Sequence, residues 1–240
     1  VTWNSSGWQI ASILGPALGG RIIDLTHAAG WIYVLDVLCA LSAIACLRPI
    51  KSPPALVERE PLSFATMMAG FRFVMSTRLI LATITLDLFA VLLGGAVTLL
   101  PVFSKDILHL GPTGLGWLRA ATPIGAFAMS IFLNQRPPMQ HAGRSLLAAV
   151  AGFGVATIVF GLSTDPVLSF FMLFLTGALD NISVVVRATL VQVLTPESMR
   201  GRVSTVNGIF IGASNELGGF ESGLVARLFG PVISVVSGGI

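Results

Sequence analysis

Four acidic side chains lie inside long apolar stretches of this chain. They are Asp87, Asp180, Glu216 and Glu221. An ionisable group within apolar surroundings is costly, and it is retained where it has a task. A desolvated carboxyl group favours its neutral form, so it can take up a proton near neutral pH and release it when water reaches it. The chemistry that these residues indicate is proton loading and unloading inside a membrane.

Four further polar side chains in the same stretches complete the candidate set: Arg119, Asn181, Arg187 and Asn215. Asp180 and Arg187 are seven residues apart, so they share one face of a helix but are too far apart along its axis for a short contact. Both are therefore expected to face one polar interior or to have separate partners, and either Arg187 or another cation is expected to hold Asp180 ionised. Arg187 alternatively extends to water from the helix end.

Asp87 differs from Asp180 in having few basic neighbours along its own helix. Within about two turns only Arg78 is basic, and it lies at the helix end. We therefore rank Asp87 first as the proton-coupling residue and Glu221 second. Glu216 shares a face with several glycines, which indicates a helix contact or a hinge, whereas Glu221 lies about 140° around the helix from Glu216 and is expected to pair elsewhere. The sequence leaves open which glutamate lines a cavity.

The composition assigns these residues to a membrane protein. Of 240 residues, 54% are hydrophobic and only 10% are charged, against about 25% charged in soluble domains. The net charge of +3 comes from scattered loop residues, so a nucleic-acid partner is not predicted. The two cysteines and three histidines do not have metal-ligand spacing, and neither a metal nor a cofactor is expected.

The apolar segments predict an all-α, polytopic membrane helix bundle. We expect seven complete spans and the start of an eighth: 4–23, 31–47, 79–103, 113–133, 145–162, 167–193 and 203–228, then the run after Gly230. Between the second and third spans, the pattern of 61–78 predicts an amphipathic helix on the membrane surface. Residues 1–47 are then expected to form the last two helices of an N-terminal bundle. Residues 48–78 form a linker, and residues 79–240 form a truncated C-terminal bundle.

Basic residues alternate between the ends of the spans. One side carries nine: Arg48, Lys51, Arg59, Arg72, Arg78, Arg136, Arg144, Arg200 and Arg202. The other side carries three: Arg21, Lys105 and Arg227. Because Lys and Arg accumulate in cytoplasmic loops, the linker is expected in the cytoplasm. The chain lacks an initial Met and both ends fall in apolar runs, so we expect a fragment.

Two short motifs stand out along this framework. Gly15-Pro16-Ala17-Leu18-Gly19-Gly20 combines small residues, which allow close helix packing, with a proline that kinks a helix. A packing kink and a direct role in conformational change both remain open. Arg200-Gly201-Arg202 precedes the seventh span, where arginines either hold a cytoplasmic gate through forked hydrogen bonds or only anchor the span.

These motifs resemble those of the major facilitator superfamily. The glycine motif resembles the antiporter signature of the fifth helix of its exporters, and Arg200-Gly201-Arg202-Val203 resembles the element before the eleventh helix. The likeness covers nearly the whole chain, from a fifth helix to the start of a twelfth, and points to the bacterial exporter branch. The loop 134–144 keeps Gly143-Arg144 but lacks the expected acidic residue.

The resemblance implies a transporter of two helix bundles that alternates access to a central site. It implies proton-coupled export of a small molecule by a monomer in the bilayer of a bacterial inner membrane. The alternatives are a non-transporting accessory subunit and a membrane-embedded enzyme. An enzyme needs a nucleophile–base or metal constellation, and the sequence presents neither, so enzymatic activity is not predicted.

Overall fold

The computed structural model describes residues 2–49, 64–93, 96–136 and 142–240. Ten α-helices follow one another in this part of the chain, and it contains no strand. They are α1 (Thr2–Thr26), α2 (Gly30–Leu47), α3 (Phe64–Ser76), α4 (Arg78–Leu93), α5 (Ala96–Val102), α6 (Pro112–Asn134), α7 (Ala142–Leu162), α8 (Pro166–Leu194), α9 (Arg200–Phe229) and α10 (Pro231–Gly238). The prediction of an all-α fold is confirmed.

Four of these helices are both long and apolar enough to cross a membrane: α2, α6, α7 and α8. A fifth span is added if 68–76 and 78–90 are taken as one bent unit. Helices α1 and α9 have 25 and 30 residues, which is sufficient length, but they are less apolar. Their glycines and polar residues suit contact with other helices better than contact with lipid.

The predicted amphipathic segment lies largely in α3, while residues 50–63 of the linker fall outside the described residues. A bend of 97° at Thr77 separates α3 from α4, so α3 can follow a membrane surface while α4 crosses. Val74 of α3 is fully buried in an apolar cluster with Ile80 of α4 and Val203 of α9. The apolar side of α3 is therefore covered partly by protein.

Helix α3 approaches α9 closely because residue 70 is glycine. A Cβ atom at Gly70 would lie 3.0 Å from the carbonyl oxygen of Arg202, which leaves almost no room for a side chain. The rings of Phe71 and Phe210 are stacked nearby, with centroids 6.3 Å apart. Helix α3 is thus packed against the N-terminal part of α9.

The remaining core lies among α5 to α8 and α10. Phe103 and Phe160 are fully buried, with ring centroids 4.9 Å apart. Helices α6 and α8 meet at two glycines: a Cβ atom at Gly125 would overlap the carbonyl oxygen of Phe174, and one at Gly177 would overlap that of Thr122. Close backbone contact of this kind is typical of membrane helices, and it sets the position of the polar residues on α8.

Candidate functional site

A buried ion pair connects α4 with α8. The guanidinium of Arg187 contacts the carboxylate of Asp87, and the two side chains are only 7% and 6% exposed, respectively. The hydroxyl of Ser183, one turn before Arg187, donates a hydrogen bond of 3.3 Å to the other carboxylate oxygen of Asp87. The carboxylate is therefore bound by a cation and by a neutral donor from one neighbouring helix.

This arrangement corrects two expectations about the charges. Asp87 ranks first in the sequence because its own helix offers almost no basic neighbour, but its cation comes from α8. Arg187 does not hold Asp180 and does not extend to water, since it is buried against Asp87. The spacing of Asp180 and Arg187 correctly predicted that they share one face of a helix. Spacing along one helix cannot predict a partner on another helix.

Asp180 lies near the middle of α8 and is half-buried. Among the described residues, no hydrogen bond or ion pair reaches its carboxylate. Its side chain lines a cavity of about 160 Å³ between α5, α6, α7, α8 and α9. It also borders a second, much smaller cavity together with Asp87 and Ser183, so one carboxylate connects the larger cavity with the surroundings of the ion pair.

Sequence reasoning missed the hydroxyl groups of this region. The larger cavity is lined by Thr98, Thr122, Thr157 and Thr176 in addition to Asp180 and Asn215. Ser183 had a recognisable signal, since residues 180, 183 and 187 are spaced by three and four and so share one helix face. The threonines had none, because a lone threonine in a span more often bonds to its own helix backbone.

The other candidates on α6 and α8 lie apart from the ion pair. Asn181 is buried, and its side-chain oxygen accepts a hydrogen bond of 3.1 Å from Ser130 of α6. Arg119 is exposed in the second turn of α6. Asn215 of α9 is exposed as well, at the rim of the larger cavity.

Of the glycines expected to share a face with Glu216, only Gly219 contacts another helix within the described part of the chain, where a Cβ atom would lie 3.4 Å from the hydroxyl oxygen of Thr98 in α5. Glu216 is exposed, and a Cβ atom at Gly208 or Gly212 would meet nothing within 4 Å. Helix α9 makes its contacts through a different face, with buried residues Val203, Val206, Ser214, Gly218 and Ser222. Glu221 is half-buried, and its nearest hydrogen-bond donor is the hydroxyl of Ser222 at 3.4 Å.

The glycine motif of α1 makes one close contact, and it is with α6. A Cβ atom at Gly20 would overlap the carbonyl oxygen of Pro112, and one at Gly116 would overlap that of Pro16. Gly19 approaches only the flexible tip of Ile32, and Gly15 has open space around it. The close packing predicted for this motif is therefore found at Gly20 and Pro16.

A hydrogen bond strengthens this contact beside the glycines. The hydroxyl of Thr113 in α6 donates to a carboxylate oxygen of Asp24 in α1, at 2.9 Å. Arg21 lies 3.9 Å from the same oxygen. The two helices are thus joined by backbone contact and by a polar bond at the same end.

The arginine motif occupies the first turn of α9. Arg200 and Gly201 are exposed, and Arg202 is half-buried where α3 crosses. Within the part of the chain that the structure describes, no cluster of histidine, cysteine and acidic residues could hold a metal ion. The polar residues that come together are therefore Asp87, Arg187, Ser183 and Asp180.

Comparison with known proteins gives consistent matches over this chain. The sequence model of the transmembrane secretion effector family matches residues 1–239. The enterobactin exporter EntS of Citrobacter koseri is 31% identical over 217 residues, which cover 86% of this chain and 50% of that protein. The exporter of the same name from Shigella flexneri is 28% identical over 215 residues, with the same two coverages. The chain spans about half the length of these curated relatives.

Proposed function

Because the chain belongs to the transmembrane secretion effector family of the major facilitator superfamily, we propose that its full-length protein exports a small molecule across a bacterial inner membrane. The export proceeds by alternating access, with the protein acting as a monomer in the bilayer. Family membership places the chain among transporters and not among enzymes. The relatives' name supports export, and makes enterobactin the first substrate to test.

The proposed organisation has seven complete spans and the beginning of an eighth. Helices α1 and α2 are the last two helices of the first bundle. Residues 48–78 link the two bundles in the cytoplasm, and residues 79–240 belong to the second bundle. The contact of α1 with α6 at Gly20 and Gly116 supports two bundles that meet along these helices. The 97° bend before α4 supports a linker helix that follows the membrane surface.

Single cysteines introduced at Ser52 and Gln140 test this topology. In a full-length protein whose native cysteines are removed, a membrane-impermeant maleimide is expected to label both positions only after the cytoplasmic side is exposed. A cysteine at Asp106, on the other side of the bundle, is the control and should be labelled from outside. Labelling of either Ser52→Cys or Gln140→Cys from outside would contradict the orientation.

Protons drive the export in this proposal, and Asp180 is the residue that loads them. The observation that carries it is that Asp180 borders two cavities, with no cationic or hydrogen-bonding partner among the described residues. Asp87, in contrast, is occupied by Arg187 and Ser183. A carboxyl group that is half-buried and unpaired can exchange a proton with water at low cost, whereas protonating Asp87 would leave a buried arginine uncompensated.

Reconstituted full-length protein tests the assignment. With an imposed proton gradient, the wild type is expected to accumulate enterobactin in vesicles and to move protons in the opposite direction. Asp180→Asn should abolish uphill accumulation while exchange of enterobactin down its gradient persists. Asp106→Asn, a change of the same chemistry at an exposed residue of the helical turn between α5 and α6, should behave as the wild type. Proton-driven accumulation that persists in Asp180→Asn would assign coupling to another carboxylate.

The arginine motif is proposed to close the cytoplasmic end. Arg202 lies where α9 packs against α3, and the backbones of Gly70 and Arg202 approach closely there. A displacement of the first turn of α9 would therefore displace the linker helix as well. Such a linkage supports a gate in which the linker follows the opening of the cytoplasmic side.

A further inference from the structure

Helix α3 has two faces with different surroundings. Gly70 and Val74 are buried where α3 packs against α9 and α4, and their spacing of four places them on one side of the helix. Met68 and Met75 lie about 140–160° around the helix from Gly70, and they are 40% and 48% exposed. The second face is therefore accessible in the described part of the protein.

The exposed apolar residues of α3 continue into α4. Met68, Phe71, Met75 and Leu79 follow one another at spacings of three and four, and each is at least 40% exposed. Leu79 lies in the first turn of α4, which crosses the membrane in the proposed topology and so presents its exposed apolar side chains to lipid. Because α3 bends away from α4 by 97°, the same stripe continues along the membrane surface.

Two arginines flank this stripe. Arg72 lies four residues after Met68 and three before Met75, and Arg78 precedes Leu79. Both arginines are exposed, and neither forms an ion pair with another described residue. An arginine beside an apolar face can lay its methylene groups on that face and hold its guanidinium at the level of the lipid headgroups. There the guanidinium can donate paired hydrogen bonds to a phosphate.

The charge on this side of the molecule defines the class of lipid. Of its nine basic residues, seven lie in the described ranges and two, Lys51 and Arg59, do not. Glu197 is the one acidic residue in the described loops and helix ends of the same side. A basic surface next to a membrane attracts anionic headgroups, whereas a zwitterionic headgroup offers it no net charge.

We propose that α3 is a binding surface for anionic phospholipids. Met68 and Met75 insert among the acyl chains, and Arg72 and Arg78 bind the headgroup phosphates. This inference rests on the proposed topology, which places α3 at the membrane surface. Because Gly70 packs against the backbone of Arg202, a lipid that holds α3 at the membrane also holds the first turn of α9.

Native mass spectrometry of the purified full-length protein, titrated with phosphatidylglycerol in detergent, measures this binding directly. Removing one arginine is expected to weaken the binding about fivefold, so Arg72→Gln/Arg78→Gln should weaken it by more than about tenfold. Arg72→Lys/Arg78→Lys keeps the charge and should keep most of the affinity. Arg227→Gln removes an exposed arginine from the last turn of α9 and is the control, which should bind as the wild type does.

Fluorescence quenching tests whether lipid covers the stripe. In a protein without native cysteines, a fluorophore on Met75→Cys should be quenched by lipids that carry a nitroxide near the headgroup end of the acyl chain. A fluorophore on Glu197→Cys, an exposed position in the turn between α8 and α9, should be quenched much less. Absence of quenching at Met75→Cys would overturn the proposal, since another part of the protein would then cover this face.

Unchanged binding of phosphatidylglycerol in Arg72→Gln/Arg78→Gln would also overturn the proposal and leave the two arginines as determinants of orientation alone. Neither measurement depends on transport. Lipid binding in a reconstituted protein that does not export would reject the proposed function and keep the lipid surface. Labelling of Ser52→Cys from outside, with quenching at Met75→Cys retained, would reject the orientation and likewise keep the surface.

Discussion

Asp87→Asn is expected to destabilise the full-length protein more than any other single change of a polar residue in this chain. The substitution leaves the guanidinium of Arg187 buried without a counter-charge, since its side chain is only 7% exposed. Removing one partner of a buried ion pair costs about 3–5 kcal/mol. The measurements are the midpoint of thermal unfolding and the yield of monodisperse protein in detergent, and both should fall sharply.

A substitution of the other partner of the ion pair provides an internal comparison. Arg187→Gln leaves the Asp87 carboxylate unpaired, but a carboxylate can become neutral by taking up a proton, whereas a guanidinium cannot lose one. We therefore expect Arg187→Gln to be less destabilising than Asp87→Asn. The double variant Asp87→Asn/Arg187→Gln should be the most stable of the three, because two neutral amides leave no buried charge.

The double variant also separates structure from coupling. If Asp180 is the residue that loads protons, the variant without the ion pair should still accumulate substrate when a proton gradient is applied. Wild-type stability in Asp87→Asn would contradict the buried pair itself. A stable double variant that has lost proton-driven accumulation would assign coupling to Asp87 in place of Asp180.

Gly116→Leu and Gly20→Leu are expected to abolish transport. Each glycine lies where a Cβ atom would overlap a backbone carbonyl of the facing helix, and backbone atoms cannot move aside as a flexible side chain can. Overpacking costs about 1–3 kcal/mol or more, and here it would separate α1 from α6. Flux in proteoliposomes is the measurement, with circular dichroism to show that the helices have formed.

Gly15→Leu is the matched control for this prediction. It lies on the same helix and in the same motif, but a Cβ atom at Gly15 would meet nothing within 4 Å. If close approach to α6 is what the motif provides, Gly15→Leu should retain much more flux than Gly20→Leu. Equal loss in both variants would show that the motif acts through contacts that Gly15 makes elsewhere in the full-length protein.

The class of this protein could be predicted from the sequence because its signals are local. A low proportion of charged residues and long apolar runs follow directly from the requirement to bury helices in lipid. The glycine motif and Arg200-Gly201-Arg202 placed the chain in the major facilitator superfamily, and the family match confirms that assignment. The helix bounds agree with most predicted segments for the same reason, since backbone hydrogen bonds within a helix involve near neighbours.

The number of spans was harder to obtain from the sequence. Helices that face other protein helices carry glycines and polar residues, so α1 and α9 lack the uniform apolarity of α2 or α7. Their length alone allows a span but does not demand one. The same contact with protein placed Val74 of α3 in a core that amphipathic periodicity had assigned to the membrane surface.

The partners of the charged residues were decided by the tertiary structure alone. Periodicity relates residues of one helix, and it correctly put Asp180 and Arg187 on nearly one face, but the ion pair joins α8 to Asp87 of α4. The glycine contacts show the same dependence on tertiary structure. Residue 20 has no room for a side chain only because Pro112 and Gly116 of α6 face it. Which helix lies opposite is set by packing between segments far apart in the chain, and a short-range pattern does not encode that choice.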